Sequence, residues 1–293
     1  MAAYKKYIPK HTTEYKKQCW DAAIGLQDVD GLEVSEELRQ YSKQHIEGYL
    51  TLEEIEEKLY QTYHPDVTDT NREKEANLVA FNMVKLLDSD QAFTFSPVTL
   101  KYINKTLFKD IYQHAGEYRP YNFTKDEPIL NGNSVVYADY HMIHDTFAYD
   151  FEEEKRKSYA GVSKEIVLKR IAKFTSDIWQ VHAFCEGNTR TTAIFMELYL
   201  RSIGFKVNND LFKEHSKYFR NALVRANYAD YSNSIYEDMS FLIKFYDNLL
   251  FEGQHILRNR DLYLPKLFPR ETVSVAEEEI SSLAEPDLPN INR

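Results

Sequence analysis

The segment QVHAFCEGNTRTTAIF, residues 180–195, brings groups able to do chemistry within nine positions of one another. His182 can exchange a proton near neutral pH, and Glu186 can ligate a divalent cation. Arg190 has a permanent charge in a planar fork that fits phosphate. Gly187 tolerates backbone conformations that a side chain forbids, and it lets a ligand approach the main chain closely. These types and this spacing indicate a site for an anionic substrate.

The same segment lies where one helical pattern ends and another begins. Apolar residues at helical spacing stop at Val181, and a second pattern starts around Thr189. The free amides at the start of the second helix form an anion site, to which Asn188 can donate a further hydrogen bond. A carboxylate beside an anion is consistent with a shared Mg²⁺. A base, a carboxylate that can bind a metal and a phosphate-binding loop lie together here. This combination predicts phosphoryl or nucleotidyl transfer.

The residue types alone leave other interpretations open. A histidine at a helix end is commonly a capping or core residue, and a glycine in a helix–helix turn needs no ligand. Cys185 beside His182 would suggest a thiol nucleophile, but its alternating position directs it inward and disfavours this. The sequence contains no HExxH, GxxxxGK[ST] or GxGxxG motif.

Composition predicts that helices position this segment. The chain has 293 residues, 43% hydrophobic and 28% charged, with only nine glycines and nine prolines, which favours a mainly α protein. A net charge of −10 disfavours nucleic acid and membrane surfaces as partners. The polar N-terminus lacks a signal-peptide core, no apolar run approaches a membrane span, and the two cysteines form no paired motif. We therefore expect a cytoplasmic protein.

Apolar periodicity predicts six helices on both sides of the segment. They run through residues 49–64, 76–87, 96–112, 140–155, 163–182 and 190–205. Thr51 is the expected N-cap of the first, and Gly204 the expected end of the last. The fifth should bury one face, formed by Ile166, Leu168, Ile171, Phe174, Ile178 and Val181. Between the third and fourth, two prolines, an Asn-Gly pair and Val-Val-Tyr predict a short β-hairpin within residues 116–139.

The chain divides by composition into three predicted parts. Residues 1–63 form a small helical module that ends at a polar joint, His64–Pro65. Residues 64–257 form the main domain. Residues 258–293 are predicted to be an acidic, weakly ordered tail, because six acidic residues stand against one basic residue from Glu271 onward.

The segment at residues 180–195 resembles the signature of the Fic family, HxFx(D/E)GN(G)RxxR. The matching residues are His182, Phe184, Glu186, Gly187, Asn188 and Arg190. HAGEYRPYN (residues 114–122) resembles the family's AGxxR segment, and FRNALVRANY (219–228) resembles the end of its core. The resemblance covers roughly residues 75–250. It implies a Fic-type helical core with a short β-hairpin flap.

The resemblance also implies a function, transfer of AMP from ATP to a hydroxyl group of a target protein. His182 would take the proton from that hydroxyl, Glu186 would hold Mg²⁺, and Phe184 would anchor the loop in the core. The implied phosphate-binding residues are Gly187, Asn188, Thr189 and Arg190. ATP and Mg²⁺ are the implied cofactors, a target protein is the implied partner, and a homo-oligomer is compatible with all of this.

Two further features are implied by resemblance. The flap would align a target segment by adding it as a strand; its residues are Ile129, Leu130, Asn131, Gly132 and Val135. Residues 1–63 resemble the small antitoxin that partners some Fic toxins, fused here in front. The antitoxin motif (S/T)xxxE(G/N) falls on Leu26, Asp30 and Gly31, so its serine is lost and its glutamate is shortened.

The chain departs from the family signature at two positions. Thr189 replaces a glycine, and we expect it to cap the helix rather than bind phosphate. Ala193 replaces the second arginine, which in the family helps to place the γ-phosphate and pairs with the inhibitory glutamate. The substitution predicts weaker ATP placement or use of a different nucleotide. It also predicts weakened or altered inhibition by Asp30, with the N-terminal module kept mainly for packing through Leu26, Val29 and Leu32.

The departures leave a second function open beside protein adenylyltransferase. The chain would then be a nucleotide-binding regulator or toxin relic, which binds nucleotide without transferring it.

Overall fold

The computed structural model describes residues 10–63, 71–207 and 210–268. Within them the α-helices are α1 (Thr13–Gly25), α2 (Glu36–Glu47), α3 (Leu52–Thr62), α4 (Arg72–Asp88), α5 (Pro97–Phe108), α6 (Ile143–Lys155), α7 (Lys164–Val181), α8 (Asn188–Ser202), α9 (Asp210–Asn227) and α10 (Ser240–Phe251). Short 3₁₀ helices span Leu26–Asp30, Pro128–Leu130, Tyr140–Met142, Tyr231–Asn233, Asn259–Leu262 and Pro265–Leu267. The mainly α prediction is confirmed, and no helix in these ranges is long and apolar enough to cross a bilayer.

Local sequence signals set several helix ends as predicted. Thr51 caps α3 in a capping box, in which its hydroxyl accepts from the Glu54 amide and the Glu54 carboxylate accepts from the Thr51 amide. At the end of α8, Gly204 takes a positive φ of 92°, and Phe205 N–H returns to the Leu200 carbonyl. That arrangement satisfies carbonyls that the helix leaves free.

The buried face of α7 differs from its prediction at one residue. Ile166 is 46% exposed. The other five predicted residues are buried, namely Leu168, Ile171, Phe174, Ile178 and Val181. Each residue turns the helix by about 100°, which places Ile166 well to one side of that face and puts the buried Val167 on it instead.

A single hydrophobic core joins the N-terminal helices to the rest of the described chain. It extends from Tyr15 to Leu262, and α1 packs against both α4 and α9. In α1, Trp20 is 1% exposed and donates its indole N–H to Nδ1 of His45 in α2 at 3.0 Å. The division into residues 1–63 and 64–257 stays a prediction, and the joint at His64–Pro65 lies outside the described residues.

The core continues into the segment predicted to be a loose tail. Leu262 is fully buried, and its carbonyl accepts a hydrogen bond from Arg225 at 2.8 Å. Leu262 thus anchors the start of this segment to the core, and the tail boundary at 258 stays a prediction. Residues 269–293 lie outside the described part of the chain.

The predicted β-hairpin is present as a chain reversal without strands. Glu127 N–H donates to the Asn133 carbonyl at 3.2 Å, and Gly132 N–H donates to the Glu127 carbonyl at 3.1 Å. Beyond the turn, the Val136 carbonyl accepts from the Gln180 side chain and the Ala138 carbonyl accepts from Arg119. Side chains thus bind both of these carbonyls, and no strand ladder forms within the described residues. We call residues 123–139 the flap segment.

Candidate functional site

The loop between α7 and α8 begins with a sharp backbone corner at His182. His182 has a φ of 47°, a left-handed conformation that costs a non-glycine residue free energy. Arg119, only 2% exposed, donates from Nε to the His182 carbonyl at 2.8 Å, and its own amide donates to the Ala183 carbonyl at 2.8 Å. The corner is thus fixed by Arg119, a buried residue of the segment 114–122.

The His182 imidazole is buried among aromatic rings. It is 6% exposed, and its centroid lies 4.2 Å from that of Tyr137, 5.3 Å from Trp179 and 5.5 Å from Phe123. Burial lowers the pKa of His182 well below its ordinary value of 6.5, and the positive charge of Lys125 adds to the effect. The side chain is therefore a neutral imidazole with a lone pair, as a general base requires.

Gly187 provides the tight turn expected of it, for a different reason. Its φ is 73°, and a Cβ built there would lie 2.0 Å from Cζ of Phe108. The expected close approach to the backbone is therefore made by the ring of Phe108 at the end of α5. A side chain at position 187 would collide with a fully buried phenylalanine.

Asn188 fastens the loop in place of donating to a ligand. Its Oδ1 accepts from the Phe184 amide at 2.9 Å, and its Nδ2 donates to the Phe184 carbonyl at 2.7 Å. Phe184 is 3% exposed, which confirms its expected role as an anchor in the core. Both ends of the Asn188 amide are thus used inside the loop, and phosphate binding by Asn188 stays a prediction.

Thr189 does not cap α8, so the capping expectation for it is wrong, whereas phosphate binding by Thr189 stays a prediction. Gly187 occupies the N-cap position, and the Thr189 hydroxyl accepts a hydrogen bond from the Trp179 indole at 3.0 Å. The contact spans the loop from α7 to α8 and holds the two helices together. It also helps to place Trp179 against His182.

Arg190 is held by three side chains from the N-terminal part of the chain. Its guanidinium lies 3.0 Å from Asp30 Oδ2, and donates to Glu75 Oε1 at 2.6 Å and to Gln27 Oε1 at 3.1 Å. It is 1% exposed and stacks over Phe108 at 4.9 Å. The loss of the second signature arginine does not leave Asp30 unpaired, because Asp30 pairs with the first one.

The predicted inhibitory remnant lies directly against this arginine. Leu26 is fully buried, and Gly31 takes a φ of 63° at the end of the 3₁₀ helix Leu26–Asp30. Val29 and Leu32 are also buried, as packing of the module requires. Ala193 is fully buried in α8, so an arginine there would require repacking of the core.

Glu186 is the exposed acid of the loop. Partial desolvation raises its pKa, and the nearby charges of Asp30 and Glu75 raise it further. These three carboxylates face one arginine, and this excess of negative charge suits a divalent cation. No group of three His, Cys, Asp or Glu in the described ranges is placed to enclose a metal. Glu186 is the residue of this loop that would hold Mg²⁺, with substrate phosphates completing its coordination, as Mg²⁺ commonly binds.

Cys185 does not point inward as its alternating position predicted. The residue is half-exposed, and its Sγ lies 3.6 Å from the hydroxyl of Tyr121. Ala183 and Phe184 are both buried, so burial does not alternate along this loop as that prediction assumed.

The predicted target-binding residues of the flap have mostly buried side chains, and target binding by the flap stays a prediction. Ile129, Leu130 and Val135 are each no more than 2% exposed. Asn131 donates to the Leu267 carbonyl at 2.8 Å, and Gly132 completes the turn. The flap segment is also anchored by a buried ion pair, which pattern alone did not reveal. Its partners, Glu127 and Arg220 of α9, lie 2.7 Å apart.

Comparisons with known proteins match the region that contains this site. Residues 94–200 match the family described as Fic/DOC family. A curated relative from Sinorhizobium fredii (strain NBRC 101917 / NGR234), named "Probable protein adenylyltransferase y4lH", is 26% identical over 134 residues. That match covers 42% of this chain and 61% of the relative. Residues 94–200 are thus similar to the Fic/DOC family, and the chain spans less than two thirds of this relative.

Three solved structures are also similar to this chain at low identity. The N-terminal FIC domain of Bep8 from Bartonella sp. 1-1C is 17% identical, with a TM-score of 0.47 over 66% of this chain and 85% of that one. The type IV secretion system effector BepA is 18% identical, with a TM-score of 0.48 over 75% and 67% of the two chains. The N-terminal Fic domain of a Bartonella effector from Bartonella sp. AR 15-3 is 19% identical, with a TM-score of 0.47 over 73% and 88%.

Proposed function

We propose that the protein is an adenylyltransferase that moves AMP from ATP to a hydroxyl group of a target protein. One observation carries the proposal. A neutral, buried histidine stands directly before a loop that presents a free acid and leads into a helix whose first turn holds a buried arginine. The family match to residues 94–200 and the relative named as a probable protein adenylyltransferase support it.

In the proposed reaction His182 acts as general base. Its neutral imidazole takes the proton of the target hydroxyl as that oxygen attacks the α-phosphorus of ATP. The new oxygen–phosphorus bond forms as the bond to the β-phosphate breaks, and pyrophosphate leaves with the displaced electron pair. Since Tyr137 lies over the imidazole, the Tyr137 ring must move for the hydroxyl to reach it.

The start of α8 provides the electrostatics of the reaction. Its free amides face the phosphates, and Arg190 adds a cation once its contacts with Asp30 and Glu75 open. Mg²⁺ on Glu186 would neutralise phosphate charge when bound. The chain itself thus supplies the base, the amides and one cation.

The position of a radioactive label distinguishes this reaction from others. With Mg²⁺ and a lysate as a source of targets, ATP labelled at the α-phosphate should label protein, whereas ATP labelled at the γ-phosphate should not. Removal of Mg²⁺ with EDTA should abolish the labelling. ATP binding without label in either form would favour the nucleotide-binding regulator instead, and γ-label on protein would indicate a kinase. GTP, CTP and UTP in the same assay test the choice of nucleotide.

The contact between Asp30 and Arg190 predicts that AMP transfer by the resting protein is restrained. Asp30→Asn keeps the shape of the side chain but removes its charge, so Arg190 becomes freer to meet phosphate. We expect initial rates of AMP transfer to rise roughly threefold to thirtyfold, the equivalent of about 0.7–2 kcal/mol for a partly buried ion pair.

The control for this prediction lies on the same 3₁₀ helix. Asp28 pairs with Lys217 at 2.9 Å, away from Arg190, and Asp28→Asn removes an equal charge. Its rate should stay within about twofold of the wild type, as expected for an exposed ion pair. A lower rate in Asp30→Asn would show that Asp30 positions Arg190 for catalysis and does not restrain it.

A further inference from the structure

A cavity separate from the α7–α8 loop opens beside the flap segment. It has a volume of about 340 Å³ and lies between residues 136–138, α6 and α7. Two of its wall residues adjoin the proposed general base, since Val181 precedes His182 and the Tyr137 ring lies 4.2 Å from the imidazole. The volume is at the small end of the range for ligand pockets, and the position is next to the hydroxyl that would react.

The charged groups of the cavity leave one carboxylate without a partner. Lys173 pairs with Asp177 at 2.7 Å, so these two charges compensate each other. Lys157 lies 3.1 Å from Glu154, and Glu153 lies 2.5 Å from Arg156. Asp150, half-buried in the wall, has neither an ion pair nor a side-chain hydrogen bond with any residue in the described ranges.

Apolar side chains border the same cavity and remain open to solvent. Val136 is 79% exposed and Tyr149 is 67% exposed, and both belong to the cavity wall. Large apolar groups of this exposure gain free energy when a partner covers them. An unpaired carboxylate can bind a cation, and a neighbouring aromatic ring and valine can pack against an alkyl stem that carries it.

A metal ion fits the cavity less well than an organic cation. No three acidic, histidine or cysteine side chains in the described part of the chain are placed to enclose a metal. Anions are disfavoured because both lysines of the wall are already paired. The remaining match is a lysine or arginine side chain.

We propose that this cavity binds a basic side chain of the protein substrate, with Asp150 facing the cation and Val136 and Tyr149 against its alkyl stem. This inference rests on the proposed function, because only a protein-modifying enzyme would use the cavity as a specificity pocket next to the modified hydroxyl. The binding event itself needs neither ATP nor transfer, and it can be measured alone.

The proposed contact depends on pH in a defined direction. Burial and the charge of Asp177 raise the pKa of Asp150 to about 6, against the opposing effect of Lys173 and Lys157. Glu153, on the same helix, is engaged by Arg156, and residues 136–138 bring no charge to the wall. A cation binds the ionised carboxylate, so affinity should be constant above pH 7 and fall as the pH drops through about 6.

The test uses three capped tripeptides, acetyl-Gly-X-Gly-amide, in which X is arginine, lysine or citrulline. Citrulline keeps the shape of arginine but lacks its charge. Binding to the full-length protein is followed by NMR signals of the peptide at pH 7.5 and pH 5. We expect the basic peptides to bind and the citrulline peptide not to, with Asp150→Asn lowering affinity about tenfold or more, as for a charged hydrogen bond.

Asp145→Asn is the matched control, because it removes the same charge from an exposed position of α6 outside the cavity. Its affinity should equal that of the wild type.

Thermal denaturation checks that Asp150→Asn stays folded, as expected when an unpaired, half-buried charge is removed. Any one of three results overturns the proposal. They are equal binding of the citrulline peptide, no binding of the basic peptides at 10 mM, and unchanged affinity in Asp150→Asn. Protein labelling without peptide binding rejects this inference alone, and binding without labelling rejects the transferase function alone.

Discussion

His182→Ala is expected to lower AMP transfer by about 10²–10⁴-fold, the range that a positioned general base contributes. ATP should still bind, because the guanidinium of Arg190 and the amides of α8 do not depend on the imidazole. The measurement is label transfer from α-labelled ATP under single-turnover conditions, together with nucleotide affinity by titration. A variant that binds ATP normally and transfers nothing locates the defect in the chemical step.

The control for this variant is His141→Ala, since His141 is an exposed histidine just beyond the flap segment. Its transfer rate should match the wild type. Imidazole added to His182→Ala should restore part of the rate, because truncation leaves space beneath Tyr137 for a small base. If His182→Ala keeps more than about a tenth of the wild-type rate with its fold intact, His182 is not the general base.

The lowered pKa of His182 adds a pH profile to the same prediction. A general base works in its neutral form, so activity is lost only as the pH falls through the folded-state pKa. Because burial lowers that pKa well below 6.5, kcat should stay level across pH 6.5 and decline at lower pH. Acid loss centred near 6.5 would mean that the imidazole is solvated during catalysis.

Local sequence signals predicted the elements on which the site is built. The capping box at Thr51, the glycine after α8 and the break between α7 and α8 all depend on neighbours within a few residues. The same is true of the positive φ at Gly187. Such features follow from short-range sterics and hydrogen bonding, which a single sequence displays directly.

The partners of the site residues could not be predicted in this way. Arg190 meets Glu75 and Gln27, which are 115 and 163 positions away along the chain, and no local pattern marks either of them. The Thr189 hydroxyl looked free for a cap because its actual donor, Trp179, belongs to the preceding helix. Tertiary packing decides such pairings, so they appear only once the helices are assembled.

The flap segment is a second place where local sequence signals predicted only part of the structure. Asn131-Gly132 and the valines that follow are typical of a hairpin, and the turn does form. The strands do not form, and Gln180 and Arg119 donate to two carbonyls of this stretch. Those two side chains also hold the flap segment over His182. The same contacts are therefore found where the strands are absent and where the proposed general base is covered.

Gly187→Ala is expected to cost about 2–5 kcal/mol in the free energy of unfolding, from two separable causes. The positive φ of 73° costs a residue with a side chain roughly 1–2 kcal/mol. A Cβ only 2.0 Å from Cζ of Phe108 forces the buried ring to move, and overpacking of this kind costs about 1–3 kcal/mol more. Denaturant unfolding of the full chain measures the sum.

A second glycine separates the two causes. Gly48 has a φ of 85° and would place its Cβ within 4 Å of nothing, so Gly48→Ala reports the backbone cost alone. The excess in Gly187→Ala is then the collision with Phe108, and it should shrink in a Phe108→Leu background because the shorter side chain leaves space. Activity should fall with it, since Phe108 is also the ring over which Arg190 stacks at 4.9 Å. If both glycine variants lose the same stability and transfer is unchanged, the ring of Phe108 does not link the turn to the arginine.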